Sequence, residues 1–267
     1  MQSNLVVRLL TALVGAPLIL ALLYYGPAVG FFALVLVVGL IGSWEFFSMT
    51  HPGDLPAKVV GLVLSAAAAC AFFFGGHRVM ATVLIVIPLM GPLVTLWRLG
   101  DISTAALRAT AMSFGPLFVA IPLTLLAVLR RYDGPGFVVI AIMFAWFADT
   151  GGYFAGRFLG KNKLYEAVSP KKTVEGAVGG LGGAVFGAVL ASLWFLPALP
   201  LSHSVPLALV AGALGQAGDL GESLIKRSMG VKDSGAIVPG HGGILDRVDA
   251  LIYTASAVYL YTLWIAT

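Results

Sequence analysis

Apolar stretches recur along the whole chain, broken at intervals by glycine, proline and charge. Most of them are long enough to cross a bilayer, which takes about 20 residues of helix. They run on without the polar–apolar alternation that a barrel strand would show, so they predict helices. With Gly, Pro and charge taken as punctuation, nine helices are expected, near 5–25, 28–50, 57–76, 79–98, 105–129, 136–156, 174–196, 205–227 and 248–266. The third and fourth are divided only by Gly75, Gly76, His77 and Arg78, and Gly91-Pro92 and Gly115-Pro116 are expected to kink or interrupt their helices. The fold class that follows is all-α: a polytopic integral membrane protein with about nine transmembrane helices.

Composition agrees with the pattern. Of the 267 residues, 59% are hydrophobic and only 10% are charged, which excludes an ordinary soluble domain. The lone cysteine, Cys70, excludes an internal disulfide and a multi-cysteine metal site. The apolar run after Arg8 is read as a retained span and not a cleaved signal, because no small-residue cleavage site follows it. A net charge of +4 fits basic loops on the cytoplasmic side of a membrane and gives no reason to expect a nucleic-acid partner.

Charge is distributed very unevenly, and that changes the picture. Between Asp149 and Asp249 lie 17 of the 28 charged residues, so the chemistry is expected there. This divides the chain into N-terminal membrane helices (1–135, about five spans) and C-terminal catalytic helices (136–267) with loops at 157–173 and 228–247. The first loop carries Arg157, Lys161, Lys163, Lys171 and Lys172 against Glu166. If basic loops face the cytoplasm, the N-terminus lies inside and the C-terminus outside; Arg130 and Arg131 then fall on the wrong side.

Within that window the spacing of acids and bases is informative. In "QAGDLGESLIKR", Asp219, Glu222 and Lys226 share one helix face, and ionised groups at membrane depth usually face a bundle interior or a wet cavity. Glu222 and Lys226 could equally form an ordinary i,i+4 ion pair. In "LDRVDA", Asp246 and Asp249 lie one turn apart at the mouth of the last helix, where one of them could merely cap it. Carboxylates from two neighbouring helices could hold a hard cation such as Mg²⁺. The loop "VPGHGG" could be a plain turn, or could offer backbone N–H groups to an anion beside Lys232, His241 and Arg247. Asp149, Tyr153 and Arg157 line up at i, i+4, i+8, and "SPKKTVEG" is expected to open the next helix at Pro170. Gly179, Gly183 and Gly187, every fourth residue, predict close helix packing.

The stretch "SLIKRSMGVKDSGAIVPGHGGILDRVD", Ser223 to Asp249, resembles the signature of bacterial CDP-diacylglycerol synthases, also called phosphatidate cytidylyltransferases. Ser223, Lys226, Arg227, Lys232, Asp233, His241, Gly242, Gly243, Asp246, Arg247 and Asp249 all fall at signature positions. "DTGGYFAGRFLGK" and "SPKKTVEG" resemble the family's preceding motifs, with Gly152 where an alanine is more usual.

The resemblance implies a metal-dependent nucleotidyltransferase of phospholipid biosynthesis. It would use CTP and phosphatidic acid, release pyrophosphate, and work at the cytoplasmic face of a bacterial inner membrane. On that reading Asp219 and Asp246 are the expected metal ligands, with Asp249 and Asp149 as further ligands or their supports. The cofactor is Mg²⁺, or another divalent ion, or Mg²⁺ with an additional monovalent cation. Lys226, Arg227, Lys232 and Arg247 would neutralise phosphates, and Lys171 and Lys172 would serve the nucleotide or the lipid head. His241 would position a phosphate oxygen, and Asp233, Gly242 and Gly243 would shape the substrate site. The partners are CTP, phosphatidic acid and the bilayer; a homo-oligomer is left open. Two rivals are a CTP-dependent lipid-alcohol kinase and a transporter with intramembrane acids.

Overall fold

The computed structural model describes residues 15–235 and 242–266. The chain there is a bundle of helices with one small β-hairpin. The helices are α1 (Gly15–Tyr25), α2 (Ala28–Thr50), α3 (Leu55–Phe74), α4 (His77–Trp97), α5 (Ala105–Gly115), α6 (Ile121–Tyr132), α7 (Pro135–Leu159), α8 (Val174–Trp194), α9 (Leu201–Ser228) and α10 (Leu245–Trp264). Strands β1 (Lys163–Tyr165) and β2 (Ser169–Thr173) pair antiparallel between α7 and α8.

Among the described residues, six helical stretches are long and apolar enough to cross a membrane, and the shorter apolar α1 stands beside them. Helices α9 and α10 fall outside that group; α9 carries Asp219, Glu222, Lys226 and Arg227, and α10 carries Asp246, Arg247 and Asp249. The protein is therefore an all-α, multi-pass membrane protein. Its outward faces are what a bilayer requires: on α4, Ile85, Leu89, Leu93 and Leu96 are all exposed.

The expected breaks are realised in different ways. The chain divides at Gly75–Gly76 between α3 and α4. At Gly115-Pro116 the helix continues through a π-turn, Pro116–Ala120, so that α5 and α6 form one long rod. A Cβ on Gly115 would stand 2.6 Å from the Phe47 ring, so the glycine admits α2 at that point. Helix α4 runs unbroken past both Pro88 and Pro92.

Two sequence expectations need correction. "SPKKTVEG" does not begin a helix at Pro170. Ser169–Thr173 is a strand, and α8 starts at Val174 with the Thr173 side chain accepting from the Gly176 N–H at 3.0 Å. The hairpin wins because Glu175 reaches back to it, accepting from Lys161 N, Asn162 N and Asn162 Nδ2. Arg130 and Arg131, awkward as loop charges, serve helix ends instead. Arg130 donates to the carbonyls of Leu23 and Gly26 at the end of α1, and Arg131 donates to the Phe73 carbonyl of α3 at 2.7 Å.

The expected close packing along the glycine series is present. α7 lies against α8 more extensively than any other pair, and a Cβ on Gly179 would collide with Ala155 and Gly151 of α7. That contact brings the end of α7 and the start of α8 to one end of the bundle, where α9 finishes and α10 begins.

Candidate active site

At that end α7, β2, α8, α9 and α10 enclose one cavity of about 610 Å³. Six α7 residues face it (Ala148, Asp149, Gly152, Tyr153, Gly156 and Arg157), which is the single helix stripe that spacings of three and four produce. The hairpin contributes Lys171 and Lys172; α9 contributes Gln216, Asp219 and Lys226; the start of α10 contributes Asp246, Arg247 and Asp249. Asp233 completes the rim. Nine of the fourteen site residues expected from the sequence thus meet in one space, although they span a hundred positions in the chain.

Two ion-paired groups organise the charge. Lys172 Nζ lies 2.7 Å from Asp219 Oδ2, so the β-hairpin is tied across the cavity to α9. Both side chains are more than a quarter exposed, so the pair is wet and open to exchange for other ions. The second group is centred on Lys226, which is buried with Glu222. Lys226 Nζ lies 2.5 Å from Asp246 Oδ1 and 2.5 Å from Glu222 Oε2. The Glu222 contact is an ion pair by distance and lacks hydrogen-bond alignment. The i,i+4 pairing is therefore present, and Lys226 adds a second carboxylate from the next helix.

Asp246 is the hub of the loop that precedes α10. Its Oδ1 takes Lys226, while Oδ2 accepts from Ser234 N at 3.0 Å and from Gly243 N at 2.9 Å. Gly242, with φ +81°, makes the left-handed turn that brings this backbone onto the carboxylate; a Cβ there would stand 3.0 Å from Asp246 Oδ2. Gly242 and Gly243 thus shape the loop from outside the cavity wall. Arg227 and Lys232 are also absent from the wall, and Arg227 donates to the Val231 carbonyl just past α9. His241 lies outside the described residues.

Asp149, Asp219 and Asp249 present hard oxygen donors to the same space, a donor set suited to Mg²⁺ or a similar cation. Among the described residues no three such side chains already converge as a cage. In the present arrangement the cationic neighbour of Asp219 is Lys172.

Sequence reasoning missed Glu45. It lies on α2, is 2% exposed, and accepts from Ser234 Oγ, Ile244 N and Leu245 N, next in sequence to the cavity residues Asp233 and Asp246. The signal was available, since it is the only charged residue in an otherwise apolar span. It stands far from the charge-rich window.

Fold and site together define a class: a multi-pass helical membrane protein that gathers acids, lysines and arginines around one cavity at the end of its bundle. The sequence profile of the cytidylyltransferase family matches residues 6–265, and the chain belongs to that family. Among its relatives, the phosphatidate cytidylyltransferase of Brucella suis is 38% identical over 97% of this chain and 94% of its own length. The protein of the same name from Synechocystis is 34% identical over 95% of both. That of Bacillus subtilis is 43% identical over a stretch covering 49% of each chain.

Proposed function

We propose that this protein is a phosphatidate cytidylyltransferase, which joins CTP and phosphatidic acid into CDP-diacylglycerol and pyrophosphate. The observation that carries the reading is the single cavity in which Asp149, Lys171, Lys172, Asp219, Arg247 and Asp249 converge, in a chain matched along its length by proteins of that name. A phosphatidate oxygen attacks the α-phosphorus of CTP, the bond to the β-phosphate oxygen breaks, and pyrophosphate leaves with that electron pair. The attacking oxygen is already anionic, so no residue has to create a nucleophile. The work left to the protein is alignment and neutralisation of crowded phosphates.

Lys171, Lys172 and Arg247 face the cavity and are placed to take phosphate oxygens. The arginine's planar fork suits bidentate contact. Asp219, with Asp149 and Asp249, would hold a divalent cation, and when bound that ion supplies positive charge to the reacting phosphates. Lys226 and Asp246, locked to one another and to the loop, keep the wall in shape. The cavity lies at a bundle end, so a lipid head can reach it from the interface and CTP from water.

That end faces the cytoplasm of a bacterial inner membrane in our reading. The support is the basic loop with Arg157, Lys161, Lys163, Lys171 and Lys172, now that Arg130 and Arg131 are accounted for by helix ends.

The test is the position of the label. Purified protein given phosphatidic acid, Mg²⁺ and CTP labelled on the α-phosphate should put the label into lipid and release unlabelled pyrophosphate. Label entering lipid from the γ-phosphate would mark a kinase and overturn the reading, as would solute movement without CTP consumption.

A further inference from the structure

Glu45 is the one ionisable group of α2, and burying a carboxylate is costly unless donors surround it. Among the described residues, its donors come from the two ends of one loop, 189 to 200 residues further along the chain. Oε2 accepts from Ser234 Oγ at 3.1 Å and from Leu245 N at 2.8 Å, and Oε1 accepts from Ile244 N at 3.0 Å. The last two bonds cap the first turn of α10, where a negative charge is also favoured by the helix dipole.

Ser234 is the point where two carboxylates meet. Glu45 holds its hydroxyl, and Asp246 holds its N–H at 3.0 Å. The far end of the loop is held in the same double way, Gly243 N by Asp246 and Ile244 N and Leu245 N by Glu45. Space confirms how close the approach is. A Cβ on Gly235 would stand 2.5 Å from Glu45 Oε1, and one on Gly243 2.5 Å from Glu45 Oε2. The residues immediately flanking this clamp, Asp233, Asp246 and Arg247, are cavity-lining.

We propose that Glu45 is a positioning residue for the transfer reaction. Acting through Ser234 and the first turn of α10, it sets Asp233, Asp246 and Arg247 against the cavity. This rests on the cavity being the reaction site, and it assigns to the N-terminal helices a direct part in shaping that site.

The experiment uses the full-length protein with Glu45→Gln, Ser234→Ala and the pair together, read by amide hydrogen exchange and by steady-state kinetics with CTP. In Glu45→Gln the Ser234, Ile244 and Leu245 amides should exchange at least about tenfold faster while α7 and α8 keep wild-type protection. Its kcat should fall at least about tenfold, with the melting temperature close to wild type. Ser234→Ala should give a smaller loss in the same direction, and the double variant should be no worse than Glu45→Gln alone, because the serine acts through the glutamate.

Wild-type kcat in a Glu45→Gln protein with loosened amides would overturn the proposal. So would exchange raised evenly along the chain, with activity following the folded fraction. Should Glu45→Gln fail to fold, Ser234→Ala decides, and wild-type exchange and turnover in that variant reject the idea. If the wild type transfers no cytidylyl group, the reaction reading fails by itself, and the exchange data still report whether Glu45 holds the loop.

Discussion

Charged side chains in residues 15–132 and in residues 135–266 are put to different uses. In the first region Asp54, Arg98, Arg108, Arg130 and Arg131 serve helix ends and the turns beside them. Arg98 pairs with Asp54 at 3.2 Å, joining the end of α4 to the start of α3. Arg108 donates to the carbonyls of Arg98, Leu99 and Asp101, and Arg130 and Arg131 close α1 and α3. In the second region Asp149, Lys172, Asp219, Asp246, Arg247 and Asp249 come from four different elements and point into one space. The lesson is that charge in a membrane chain does not by itself mark a site. An arginine can be engaged by backbone oxygens that the bilayer would leave unsatisfied, and convergence from several elements is what separates chemistry from scaffolding.

Glu45 crosses the divide, since it belongs to the first region by sequence and to the second by contact.

The comparison can be broken most sharply at Lys226. Replacing it by alanine leaves Glu222, 1% exposed, without its ion-pair partner and strips Asp246 of one donor. Breaking a buried pair from one side costs about 3–5 kcal/mol. Lys226→Ala should therefore lower the thermal midpoint in detergent clearly and abolish turnover. A stable, active Lys226→Ala protein would show that the buried pair is incidental.

Asp219→Asn should come next, and it should act on chemistry alone. The side chain is wet and its ion-pair partner, Lys172, lies across the cavity, so the fold should survive. Turnover should fall at least about 100-fold, equivalent to ~2.7 kcal/mol of transition-state stabilisation. Activity within about threefold of wild type would remove Asp219 from the site.

Arg247→Lys sharpens the comparison further, because it keeps the charge and loses the planar fork. A fall in kcat/KM of about tenfold, or ~1.4 kcal/mol, is expected. Lys161→Gln is the control in the same half of the chain: its side chain is exposed and outside the cavity wall, so turnover should stay near wild type. Equal, mild effects of the two changes would make Arg247 one more scaffolding arginine.

Much of this was legible in the sequence. Helix positions followed from long apolar runs punctuated by Gly and Pro, and the charge-rich window located the cavity because ionised groups at membrane depth must find one another. The hairpin was not legible. Pro170 suits a helix start equally well, and the choice is made by Glu175 gripping Lys161 and Asn162, a contact that exists only after folding. Lys226 was legible as a site residue by its spacing, and it lines the cavity, but its pairing with Asp246 of the next helix was not legible, because that contact exists only after folding. Arg227 and Lys232 share the signature with cavity residues but fall outside the lining: Arg227 is adjacent to Lys226 on α9, where neighbouring positions point about 100° apart, and Lys232 lies beyond the end of that helix.

The central claim is that the cavity between α7 and α10 is where the nucleotide binds. Ala177 lines it and is partly accessible, so a single cysteine there, with Cys70 replaced, reports directly on occupancy. Alkylation of Ala177→Cys should be slowed at least about fivefold by CTP with Mg²⁺, as expected when bound ligand shields the thiol. Alkylation of Lys161→Cys should not change. Equal rates at Ala177→Cys with and without a CTP concentration that supports full turnover would contradict the account.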